Sequence, residues 1–142
     1  MLRLILGMIA GVFAGGLTTG IVEAIVHSFI FKPPPGFDAS NPEALRIIMD
    51  EIPLGAKVGV IVAWGMGVLV GGTLAAFLTR RGPMTAWWVG AILFGMAAMT
   101  MLSIPHPAWM WAAAIITTVV MAYAAGLIGG RQAPGMTPQS TQ

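Results

Sequence analysis

The stretch LGAKVGVIVAWGMGVLVGGTLAAFL, residues 54–78, carries one charge, Lys57, close to its start. A helix needs about 20 predominantly apolar residues to cross the hydrocarbon core of a bilayer. Residues 54–78 therefore read as a membrane span, and three further stretches of the same kind flank them. They run from Leu4 to Phe31, from Met84 to Ile104 and from Trp109 to Ile128. Punctuation separates the four. Lys32-Pro33-Pro34-Pro35-Gly36 stops the first, Arg80-Arg81-Gly82-Pro83 divides the second from the third, and Pro105-His106-Pro107 turns the third into the fourth. Gly129-Gly130-Arg131 ends the last span, and residues 132–142 form a polar tail.

Composition supports the same reading. Of 142 residues 57% are apolar and 8% charged, and the mean hydropathy is +0.86. A soluble domain carries about 25% charged residues. Seven Lys and Arg with five Asp and Glu cannot cover a soluble surface of this size, and large exposed apolar patches are avoided by soluble monomers. Disordered chains are polar and charge-rich, which this chain is not. Without Cys there is no disulfide, thiolate metal site or Cys nucleophile. A net charge of +2 with no basic stripe gives no reason to expect nucleic acid as a partner. The sequence thus predicts an all-α, four-helix transmembrane bundle, a single domain over residues 1–131, whose surroundings are the lipid bilayer. The apolar run from Leu4 to Phe31 exceeds the 7–15-residue core of a cleaved signal peptide and reads as a retained span.

The segment 32–53 is the one sizeable part outside the spans. Pro33 to Pro35 predict extended polyproline II. Ser40-Asn41-Pro42-Glu43 opens a short helix, either with Asn41 as the cap before Pro42 or with Ser40 and Glu43 as a capping box. Leu45, Ile48, Met49 and Ile52 share one face, and Glu43, Arg46 and Asp50 share the other, which suits an amphipathic helix at a membrane surface or over the bundle mouth. Basic residues flank the cytoplasmic ends of spans more often than the outer ends. Arg3, Arg80, Arg81 and Arg131 fall on one side, against Lys32, Arg46 and Lys57 on the other. This predicts cytoplasmic N- and C-termini and an outer short helix. Trp87 and Trp88 then mark the inner interface, and Trp109 and Trp111 the outer one.

Helices in lipid associate through close packing, which small residues permit. Gly7, Gly11 and Gly15 recur every fourth residue, as do Gly16 and Gly20, Gly55 and Gly59, Gly67 and Gly71, and Ala122, Gly126 and Gly130. These ridges predict close crossings inside the bundle or, on the first helix, a homodimer seam.

Glu23 is the one acidic residue within a predicted span, and His27 follows on the same helix face. An intramembrane ionisable group is a functional candidate by default. Glu23 lies twenty residues beyond Arg3, about 30 Å along a helix, which puts it near the outer boundary. The predicted topology brings His106, Glu51 and Lys57 to that end, so the candidate polar cluster is Glu23, His27, His106, Glu51 and Lys57. Three readings stay open. Glu23 pairs with Lys57 or His27 and pins the outer loop; Glu23 and His27 carry a proton or cation; or Glu23, His27 and His106 ligate a divalent metal. Met96, Met99, Met101 and Met110 near the same end raise a copper path, though Met also fills apolar cores. Trp64 is mid-span, and its indole N–H needs a partner within the bundle, which Thr18 or Thr19 can supply. The span threonines are expected to bond back to their own helices.

Catalytic templates fail. There is no Gly-x-Ser-x-Gly elbow, phosphate loop, dinucleotide fingerprint or HExxH, and no cofactor is expected. Val22-Glu23-Ala24, His27, Pro33-Pro34-Pro35-Gly36-Phe37-Asp38, Asn41-Pro42-Glu43-Ala44-Leu45, Ile52-Pro53-Leu54-Gly55-Ala56, Ala63-Trp64-Gly65 and Pro105-His106-Pro107-Ala108-Trp109 together resemble a group of small bacterial four-helix membrane proteins. The resemblance covers residues 7–130 and implies a bacterial inner-membrane location without implying any activity. The expected function is non-enzymatic. It is first a structural or accessory subunit of a larger membrane complex or a homo-oligomer, second a small proton- or cation-coupled transporter or channel using Glu23 and His27, and third a metal-binding membrane protein.

Overall fold

The structure, a computed structural model, describes residues 1–30, 36, 38, 40–49, 51–104 and 106–131, excluding the side chains at 42, 45 and 46. Five helices follow in order: α1 (Leu2–Phe29), α2 (Pro42–Met49), α3 (Leu54–Thr79), α4 (Pro83–Ser103) and α5 (Ala108–Arg131). The four long ones are each apolar and long enough to cross a membrane, the make-up of a multi-pass membrane protein. Their ends fall within three residues of the predicted spans. The polyproline run at 33–35 and the tail at 132–142 lie outside the described residues.

Local chemistry explains the boundaries. Asn41 Oδ1 accepts from the Glu43 and Ala44 amides at 3.0 and 3.5 Å, so Asn41 is the cap of α2. Ser40 is engaged elsewhere, since its amide and hydroxyl both donate to Asp38 Oδ1 at 2.9 and 2.6 Å. Those two bonds hold the exposed Asp38 carboxyl below its ordinary range. Between α3 and α4 the chain reverses through left-handed backbone at Arg80 (φ 55°) and at Gly82 (φ 61°, ψ −142°). The second conformation is open to glycine almost alone. Pro83 then starts α4 with its φ already helical.

Helix α3 is the hub, packing on α1, α4 and α5, while α4 and α5 pack on each other and α1 touches α4 lightly. The core is built from small residues: Ala63, Ala75, Ala76, Ala86, Ala122 and Ala125 are wholly buried. A Cβ on Gly11 would come within 2.6 Å of the Gly71 carbonyl oxygen, and one on Gly15 within 2.7 Å of the Gly67 carbonyl oxygen. The helices meet backbone to backbone, the contact that drives association where lipid is as apolar as leucine. The Gly7–Gly11–Gly15 face is therefore occupied by α3 of the same chain. Gly126 and Gly90 serve the α4–α5 contact in the same way, against Pro83 and Ala122.

Four of the five arginines gather at one end. Arg3 Nε donates to the Leu78 carbonyl at 2.7 Å, Arg80 and Arg81 form the adjoining turn, and the α5 terminus at Gly130 approaches Gly82. The opposite end carries α2 and Lys57.

Candidate functional site

The register of α1 on α3 decides which polar groups meet. Gly59 faces Val26, Gly67 faces Thr19 and Gly15, and Gly71 faces Gly11 and Gly15. This antiparallel alignment brings Trp64 level with Glu23. The Trp64 indole Nε1 donates to Glu23 Oε1 at 2.8 Å. The expectation that Thr18 or Thr19 takes the indole proton is corrected by that register. Thr18 donates to Ala14 O of its own helix at 2.8 Å, and Thr19 reaches across to Ala63 O of α3 at 3.3 Å. Thr19 also departs from the expected bond within its own helix, whereas Thr100 follows it, donating to Met96 O at 3.2 Å.

Two cavities meet at this hydrogen bond. The first, about 210 Å³, lies at the α2 end and is walled by Glu23, His27, Lys57, Trp64, His106 and Met49 among others. The second, about 280 Å³, lies deeper between α1 and α4, with Gly16, Gly20, Phe94, Met96 and Thr118 in its wall. Glu23, Trp64 and Thr100 belong to both walls. The bonded Glu23–Trp64 pair is thus a partition between a vestibule that carries the ionisable side chains His27, Lys57 and His106 and a deeper chamber, both lined mainly by apolar surface.

Four of the five residues in the predicted cluster, Glu23, His27, Lys57 and His106, line the vestibule. Glu51 is exposed on the segment entering α3 and is not in either wall. The Glu23 carboxyl bonds to Trp64 and not to Lys57 or His27. His27 Nδ1 is 2.8 Å from the Glu23 backbone oxygen, and His106 Nδ1 is 2.7 Å from Ile104 O. A carbonyl only accepts, so Nδ1 donates in each ring and Nε2 is left for other partners. Among the described residues no three His, Asp or Glu side chains come close enough to hold a metal. The methionines diverge: Met101 and Met110 are buried in one apolar cluster with Ile61 and Ala114, while Met96 and Met99 are exposed.

Trp64, Thr100, Met49 and the chamber walls Gly16, Gly20 and Phe94 are site residues that sequence reasoning did not assign. The available signal was a mid-span indole needing an acceptor, with a carboxylate on the helix predicted next to it. No protein-family model, curated protein or solved structure matches this chain, so the arrangement stands on its own residues.

Proposed function

We propose that the chain is a small non-enzymatic transporter or channel that handles a proton or cation at Glu23. In this reading α1, α3, α4 and α5 form a four-helix bundle in a bacterial inner membrane, α2 lies over its outer mouth, and both termini are cytoplasmic. The observation that carries it is the Glu23–Trp64 bond standing between two cavities. Helix arithmetic places Glu23 just inside the outer boundary of the hydrocarbon, in line with its distance from Arg3. Glu23 is seven to eight residues past the midpoint of α1, about 11 Å at 1.5 Å per residue, inside the roughly 15 Å half-thickness of the hydrocarbon. A carboxylate there is expensive and characteristically lines an ion or proton path. His27, Lys57 and His106 line the vestibule through which a cation would arrive. The imidazole Nε2 atoms are able to pass protons, and the Lys57 ammonium tunes the charge at the mouth.

The test is proton flux into proteoliposomes under an imposed potential, wild type against Glu23→Gln. Loss of at least tenfold of the flux in the variant is the expected result, and equal flux removes Glu23 from the function. A second reading, an accessory subunit or homo-oligomer of a larger membrane complex, is supported by α1. Only 17% of its most apolar window is buried, against 50% for α3, and Leu6, Phe13 and Leu17 point outward. Affinity purification from native membranes checks it by the recovery of a stoichiometric partner.

A further inference from the structure

We infer that the chamber between α1 and α4 binds an organic ammonium ion with apolar substituents, admitted sideways from the bilayer. The inference rests on the cation reading of Glu23 and names the chemical class. The walls decide that class. Glu23 supplies the anionic group, and among the described residues no basic side chain shares the chamber, because His27 and Lys57 line the vestibule beyond the partition. Of the wall threonines, Thr19 and Thr100 donate to backbone carbonyls, while Thr118 makes no hydrogen bond among the described residues. A bare metal ion would find one carboxylate, already bonded to Trp64, and three threonine hydroxyl oxygens, short of the six or more oxygens that hard cations take. A proton needs no apolar walls at all.

An ammonium ion with hydrocarbon arms uses everything present. Its charge meets Glu23, the rings of Trp64 and Phe94 offer faces that attract a cation once water is excluded, and its arms lie against Val68, Leu93 and Phe94. A volume of about 280 Å³ suits a small ligand of this kind. The side entrance has a structural basis. A Cβ built on Gly16, Gly20 or Gly95 would meet nothing within 4 Å, and Met96, a wall residue, is 56% exposed on the lipid-facing surface. The glycines of α1 thus leave a gap towards α4 through which an amphiphilic cation dissolved in the bilayer reaches the carboxylate.

The experiment is equilibrium dialysis of benzyltrimethylammonium against the full-length protein in phosphatidylcholine nanodiscs, with empty nanodiscs as the partition control. Neopentylbenzene, the uncharged carbon isostere, is the competitor. Saturable one-site binding is expected, at least tenfold weaker in Glu23→Gln and in Gly16→Leu, with neopentylbenzene displacing poorly. Gly16→Leu places its side chain in open space, and Gly20→Leu repeats the test from the next turn should the first variant not purify as a monodisperse species. Absence of saturable binding, wild-type affinity in Glu23→Gln, or equal displacement by neopentylbenzene overturns the inference. Glu23-dependent proton flux with no ammonium binding overturns the inference and leaves the proposed function standing. Glu23-dependent ammonium binding without proton flux supports the inference and overturns the proton reading.

Discussion

At the arginine end, α1 lies on α3 with glycine against glycine, whereas near the α2 end the same helix stands clear of α4 and encloses two cavities. The difference comes from which glycines face inward. Gly7, Gly11 and Gly15 are buried against α3, with Val89 and Leu93 of α4 close by, while Gly16 and Gly20 meet nothing. Glycine therefore plays opposite parts on one helix. On one face it admits a neighbouring backbone; on the other it leaves space beside Glu23. The face on α3 holds the molecule together, and the face turned towards α4 borders the chamber beside Glu23.

Substitutions that disturb this contrast rank by how little room each has. Gly11→Leu has the least, because its Cβ alone would lie 2.6 Å from the Gly71 carbonyl and 2.7 Å from Ala75 Cβ. Overpacking of this kind typically costs about 1–3 kcal/mol and occasionally more, so the variant should lose folded yield in a detergent-unfolding titration followed by circular dichroism. Trp64→Phe keeps an aromatic ring but removes the donor to Glu23. The lost bond is to a half-buried carboxyl and costs about 1 kcal/mol, and the same titration should show it, accompanied by altered proton flux. A variant as stable as wild type would mean that the partition bond adds nothing to stability.

Asn41→Ala removes the cap of α2, a change worth about 1 kcal/mol to that helix. Hydrogen exchange should speed up within 42–49 and remain unchanged in the four long helices. Uniform acceleration would show α2 to be coupled to the whole fold. Gly16→Ala is the mildest. With no neighbour within 4 Å it should stabilise α1 by about 0.5 kcal/mol through lower chain flexibility. A destabilisation like that of Gly11→Leu would show that the open face is occupied after all.

The vestibule was legible before the fold, and the chamber was not. Four spans and two turns were enough to bring Glu23, His27, Lys57 and His106 to one end, because chain direction alone assigns each turn to a side. Glu51 went astray since the same arithmetic sets the level of a residue and not the direction in which it points. The Glu23–Trp64 pair needed the rotation of α1 about its axis and its register on α3. Apolar residues run round nearly the whole circumference of both helices, so no polar stripe announces either quantity. The repeated glycines announce close contact, but several of them qualify, and only packing selects Gly7, Gly11 and Gly15 over Gly16 and Gly20.

What the sequence by itself determined is the number of long helices, their ends to within three residues, the Asn41-Pro42 start of α2 as one of two stated alternatives, and the end of the molecule where polar groups gather. These follow from local properties: length of apolar run, Pro and Gly punctuation, and capping geometry. The tertiary structure alone decided that a carboxylate and an indole meet across two helices and divide one cavity from another. That outcome depends on which small residues permit backbones to touch, a property of paired surfaces that no single helix encodes.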